Sequence, residues 1–119
     1  LEEGEIRRHM RKALKTYHQR RDFFCDLLQK ELGDFVEFKK PDGGLAVWTK
    51  FDKKIDMTKL SEAVAAKNLY IADSKRYDPI GKELNFTRLG FASMNEQEMK
   101  EGVKILKGEI EKSFLRNGQ

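Results

Sequence analysis

One arginine stands where a strand pattern asks for an apolar side chain. Residues 85–92 read N-F-T-R-L-G-F-A, with Arg88 near the centre. Alternation along a strand puts Thr87, Leu89 and Phe91 on one face and Phe86, Arg88, Gly90 and Ala92 on the other. A guanidinium placed between Phe86 and Gly90 costs stability if it is desolvated and unpaired. Gly90 and Ala92 leave space beside it. Two readings follow from the pattern. Arg88 either closes an internal ion pair, for instance with Glu37, or reaches water from an edge strand; or it grips a ligand carboxylate through two parallel hydrogen bonds, for which its planar fork is well shaped.

The remaining chemistry-bearing residues form no self-sufficient catalytic set. His9 and His18 are the only histidines and Cys25 the only cysteine. Without clustered carboxylates they make no zinc site. Cys25 lies seven residues beyond His18 on one helix, about two turns away, too far for a nucleophile–base pair. It reads as a small, half-buried residue. Gly43 and Gly44 lack the flanks of a dinucleotide or phosphate-binding fingerprint, so by pattern they belong to the turn Pro41-Asp42-Gly43-Gly44. Arg7, Arg8, Arg11, Lys12 and Lys15 share a helix face that Asp22 and Asp26 continue with opposite sign. No aromatic sits among the cations to stack a base, so the face reads as solvated helix surface. Arg20 and Arg21 flank the apolar stripe, where their stems can cover core and their heads can pair at a boundary. Asp73, Ser74 and Tyr77 precede the arginine strand as ordinary loop polarity.

Several elements must position these residues. A chain of 119 residues with net charge +4, 37% of it charged, fits one domain over residues 1–119. The mixed signs do not make the concentrated basic patch of a nucleic-acid binder. The lone cysteine excludes an internal disulfide and fits a reducing, cytoplasmic compartment. No apolar run reaches membrane-spanning length and no signal peptide is visible, so no membrane partner is expected. The start Leu1-Glu2-Glu3, without methionine, is what a piece of a longer protein would show, and a cleaved tag can leave the same trace.

Helical spacing of Ile6, Met10, Ala13, Tyr17, Phe24 and Leu28 predicts a helix from about Glu5 to Leu32, stopped by Gly33. Phe35–Lys39 and Leu45–Phe51 read as a hairpin around the Pro41 turn, with Leu45, Val47, Thr49 and Phe51 on one face and Ala46 and Trp48 on the other. Asp56 caps a second helix to about Lys67 that turns Leu60 and Val64 inward, and Asn68 suits a left-handed stop. Leu69–Ala72 reads as a short strand and 73–84 as a loop. Asn95 and Glu98 have capping-box spacing before a last helix carrying Met99, Val103, Leu106, Ile110 and Phe114. The expected class is α+β: a small, mostly antiparallel sheet of three to four strands packed with helices. Trp48 and Phe86 together on the far face call for a covering partner surface.

These stretches, taken in order, resemble a known pattern. Arg20-Arg21-Asp22 on a long first helix, Pro41-Asp42-Gly43-Gly44-Leu45 leading into Val47-Trp48, and Thr87-Arg88-Leu89-Gly90-Phe91-Ala92 before an acidic helix start are similar to the carboxy-terminal small domain of class I/II aminotransferases. These are fold-type I pyridoxal-phosphate enzymes, and the resemblance runs from about Ile6 to Phe114. The run Arg7-Arg8-His9-Met10-Arg11-Lys12 with Tyr17-His18-Gln19-Arg20-Arg21-Asp22 is similar to the aminotransferase-like half of MocR-type regulators of the GntR family. In such regulators a winged helix-turn-helix binds DNA and the aminotransferase-like part senses a ligand.

The resemblance implies that Arg88 binds the α-carboxylate of an amino-acid ligand. It also implies that Gly43 and Gly44 border the site and that Ile71–Ser74, with Asp73 and Ser74, borders the substrate. Many relatives carry Pro-Gly near Asp73; this chain does not. It further implies pyridoxal 5'-phosphate in a parent protein whose large domain holds the Schiff-base lysine, the phosphate clamp and the acid facing the pyridine nitrogen. None of this chain's lysines sits in a matching motif. DNA would be reached only through a missing winged-helix domain, and the full-length protein is expected to be a homodimer. A free-standing aminotransferase and an independent protein-interaction module are the alternative expectations.

Overall fold

The computed structural model describes residues 2–71 and 85–117. Its elements are α1 (Glu3–Leu32), β1 (Val36–Phe38), β2 (Ala46–Phe51), α2 (Met57–Ala65), β3 (Phe86–Gly90) and α3 (Glu96–Asn117). The strands form one antiparallel sheet in the order β1-β2-β3. The class is α+β, as the sequence implies. Leu69–Ile71 carries no strand, so the sheet has three strands among the described residues. Ala72 lies outside them.

Alternation sorts the sheet cleanly into two faces. Val36, Val47, Thr49, Phe51, Thr87 and Leu89 are buried beneath the helices. They meet Phe24, Leu28 and Leu32 of α1 and Met99, Val103, Leu106 and Ile110 of α3 in a single core. Thr49 and Thr87 are register partners in the middle of this apolar face. The Thr49 hydroxyl donates to the Val47 carbonyl at 3.2 Å, which satisfies a group that would otherwise be costly to bury. Leu45, expected beside Val47, lies before β2 and is 65% exposed.

Helix ends follow the local chemistry of their residues. Asp56 accepts from the amides of Thr58 and Lys59 at 3.1 Å each. The Asn95 side chain accepts from the Glu98 amide at 2.8 Å, and Glu98 returns the favour from the Asn95 amide at 3.1 Å, completing the capping box. α2 ends at Ala65, two residues short of Lys67, because its last turn closes through Asn68 at φ 66° with the Leu69 amide on the Val64 carbonyl. Gly33 ends α1, as the sequence implies, without a left-handed turn. Its φ is −56°, and glycine is needed because a Cβ there would collide with the Gln29 carbonyl.

α1 divides into two halves. From Tyr17 onward it packs on the core; Cys25, expected half-buried, is fully buried, and burial pushes its thiol pKa up. Before that, residues 2–16 are exposed on every side. Ile6 and Met10 belong to the predicted stripe but are 45% and 60% exposed, because none of the described residues packs against them.

The arginine strand is also shorter than its sequence pattern. Asn85 adopts φ 54° instead of joining β3, and Phe91 and Ala92 follow its end. The buried Asn85 amide donates to the carbonyls of Asp52 (3.0 Å) and Ile55 (2.9 Å), while its own carbonyl accepts from the Phe51 amide. This knot fixes where β3 enters the sheet. Asn85→Ala strands two carbonyls and places a less tolerant residue at positive φ; a loss of about 2–4 kcal/mol is expected in urea denaturation. Asn85→Gly, which keeps the backbone angle accessible, should lose less.

Candidate functional site

The open face of the sheet is built in cross-strand rows. Ala46 is the register partner of Gly90, Trp48 of Arg88, and Lys50 of Phe86. The small residues of the first row leave room beside the second. Arg88 is exposed, and its guanidinium carbon lies 5.8 Å from the centre of the Trp48 ring, within cation–π range. The Lys50 ammonium stands 6.0 Å from the Phe86 ring in the next row.

Among the described residues Arg88 joins no ion pair. The internal bridge to Glu37 does not form, because Glu37 sits on β1 opposite Lys50, a strand away from Arg88. Trp48 is 52% exposed on the same face, and Phe86 is half-buried.

Arg20 and Arg21, adjacent on α1, hold the two chain segments at one end of this face. The Arg20 Nη1 donates to the Ala92 carbonyl at 2.6 Å, just past β3. The Arg21 Nη1 donates to the Pro41 carbonyl at 3.3 Å, at the start of the glycine turn. Arg21 also meets Asp22 at 3.1 Å, and Asp22 is bound by Lys40 at 2.6 Å. Of the predicted turn glycines, Gly44 has φ +89°, which explains its identity, while a Cβ at Gly43 would meet nothing within 4 Å. The following carbonyl, of Leu45, accepts from the Phe91 amide at 3.2 Å. The structure thus brings the Gly43–Gly44 turn to the Gly90 end of the sheet, near the row that contains Arg88. Asp73 and Ser74 lie outside the described residues, as does Tyr77.

The sequence marked Arg88 but not its stacking partner, which depends on the β2–β3 register. It placed Arg20 and Arg21 at the stripe margin without their acceptors, since backbone carbonyls 72 and 20 residues away leave no local signal.

With this geometry described, similarity to known proteins decides the family. The profile for aminotransferase class I and II matches residues 1–106. The chain belongs to the class I and II aminotransferases. It is 29% identical over 116 residues to aromatic-amino-acid aminotransferase 1 of Thermococcus litoralis, covering 98% of this chain and 28% of that protein. It is 27% identical over 111 residues to the HTH-type transcriptional regulator YdeL of Bacillus subtilis, covering 90% of this chain and 23% of the regulator. The crystal structure of the multiple substrate aminotransferase from Thermococcus profundus superposes with a TM-score of 0.80 at 27% identity, over 95% of this chain and 28% of the other. The chain thus spans under a third of the length of these relatives.

Family membership implies pyridoxal phosphate as cofactor. The described residues do not form its seat. A Schiff-base lysine must shed its proton, which calls for desolvation. Every described lysine is exposed except Lys107, which is half-buried and paired with Glu31 at 3.0 Å. Hydrogen bonds to Glu31 and Glu109 push the pKa of Lys107 and Lys67 up, which holds both protonated. The helix N-termini offer a phosphate no better place. Those of α2 and α3 are closed by Asp56 and by Asn95 with Glu98, and that of α1 carries Glu3 and Glu5. Among the described residues there is also no group of three potential metal ligands.

Two expectations test the clamp. Arg20→Ala should destabilise the fold by about 1.5–3 kcal/mol in urea denaturation, the range for a bond with a charged partner. The hydrogen bond from Lys40, with a smaller contribution from Arg21, holds the Asp22 carboxyl below the usual aspartate range against the effect of burial. The Asp22 tie is therefore complete above the unfolded aspartate pKa and is lost as pH falls through the lowered folded value. An NMR titration of the Asp22 carboxyl should show that low midpoint, and Lys40→Ala should raise it.

Proposed function

We propose that this chain supplies the carboxylate-binding side of an amino-acid pocket in a pyridoxal-phosphate-dependent module, with Arg88 as the gripping group. The observation that carries this reading is Arg88 itself. It sits mid-strand on an open face, free of ion pairs among the described residues, beside the small pair Ala46 and Gly90. Two parallel hydrogen bonds from the guanidinium to an α-carboxylate would fix the ligand's orientation. The Gly43–Gly44 turn borders the same end of the sheet, and Asp73 and Ser74 are proposed to complete the rim. The cofactor, when bound, supplies the electron sink; this chain's part is to bind and orient.

The parent is proposed to be a MocR/GntR-type transcriptional regulator in which the amino acid is an effector. Support comes from the regulator relative and from the resemblance of the Arg7–Lys12 and Tyr17–Asp22 runs. On this reading the protein is a cytoplasmic homodimer. A large domain carries the Schiff-base lysine, and a winged-helix domain contacts DNA. A second reading, a free-standing aminotransferase that transfers an amino group between an amino acid and a 2-oxo acid, is favoured by the 29% identity over nearly the whole chain to the Thermococcus litoralis enzyme. The full reading frame separates them: a winged-helix segment ahead of the large domain supports the regulator.

Both readings share one test. In the parent protein, Arg88→Ala should weaken amino-acid binding by about 1.5–3 kcal/mol. Binding of the corresponding decarboxylated amine should be left unchanged. Titration of both ligands against both variants measures this, and unchanged discrimination sinks the carboxylate role.

A further inference from the structure

We infer that Trp48 is the positioning residue of Arg88, holding the guanidinium in place for a carboxylate before any ligand arrives. The inference rests on the carboxylate-binding reading of Arg88.

An exposed arginine on a strand otherwise samples many rotamers and loses that freedom when a ligand docks. Here the residue directly across the ladder is an aromatic one. Its ring centre lies 5.8 Å from the guanidinium carbon. Such a contact uses the charge of the cation and leaves its N–H donors available, whereas an ion pair would consume them. Among the described residues the open face therefore restrains the arginine without pairing it.

The neighbouring rows support the same arrangement. Lys50 and Phe86 flank the pair on one side, and their own cation–ring contact of 6.0 Å occupies the lysine. Ala46 and Gly90 flank it on the other side, a row whose two paired residues carry no side chain larger than a methyl group. A carboxylate approaching from the small row meets the edge of a guanidinium backed by the indole. Because Trp48 is half exposed and lies on the face away from the core, its replacement leaves the packing beneath β2 intact.

The test uses the full-length parent protein loaded with cofactor. L-phenylalanine, L-leucine and L-methionine are titrated calorimetrically beside phenethylamine, isoamylamine and 3-(methylthio)propylamine. Trp48→Leu should weaken binding of the responding amino acid by about two- to fivefold, the exposed cation–π range, and leave its amine partner unaffected. Trp48→Phe should recover most of the loss. In an Arg88→Ala background, Trp48→Leu should have no further effect.

Equal loss for acid and amine, or an undiminished effect in the Arg88→Ala background, overturns the positioning role. If Trp48→Leu does not fold, as judged by circular dichroism, Trp48→Phe and Trp48→His carry the same comparison. An Arg88→Ala protein that keeps its preference for the acid, or a parent that responds to none of the panel, overturns the carboxylate reading instead. Those results are distinct from a Trp48 failure, in which Arg88→Ala abolishes the preference and the Trp48 variants leave it unchanged.

Discussion

The register between β2 and β3 governs everything this domain offers. With Thr49 opposite Thr87 and Val47 opposite Leu89, the apolar set faces the helices and Arg88 faces outward. A slip of one residue would turn every side chain to the other face, driving a guanidinium into the core and Thr87 and Leu89 into water. The cost of burying an unpaired charge thus opposes the wrong register, and burial of Thr87 and Leu89 favours the right one. The residue with the most evident chemistry is held in place by the packing of its sequence neighbours.

Register alone does not place the ends of the strands. Asn85 ties the entrance of β3 to the segment after β2, and Arg20 ties its exit to α1. Arg21 reaches from the same helix to the start of the glycine turn. Two of these ties use cationic donors on backbone carbonyls, so the open face is framed by groups already engaged. Arg88, within that frame, joins no ion pair among the described residues. Surface ion pairs elsewhere, such as Lys112 with Glu109, add little to stability by comparison.

A division of labour follows from what the described residues lack. No described lysine is desolvated, and the helix N-termini are closed or acidic. The described residues do not themselves seat the cofactor that the family uses. The exposed apolar side chains of the first half of α1, together with Trp48 on the sheet, are what such a domain would turn toward the rest of a larger protein.

Local chemistry was legible in the sequence because short-range rules suffice for it. The capping box of Asn95 and Glu98, the Asp56 cap, the left-handed Asn68 and the two-faced alternation around Arg88 all depend on residues within a few positions of each other. The stretch Leu69–Ile71 misled, since an apolar run carries strand propensity whether or not a partner strand lies beside it. The exposed half of α1 misled for the same reason: its periodicity reports a burial that the described residues do not provide. The partners of Arg88, Arg20 and Asn85 were beyond reach, being set by register, by distant carbonyls and by a backbone turn. Sequence by itself determined the class of fold and the facing of each strand, including the outward place of Arg88, because period and local capping are encoded within a few residues. Only the tertiary structure decided that Arg88 meets Trp48 and not Glu37, because cross-strand neighbours exist only once the strands have paired.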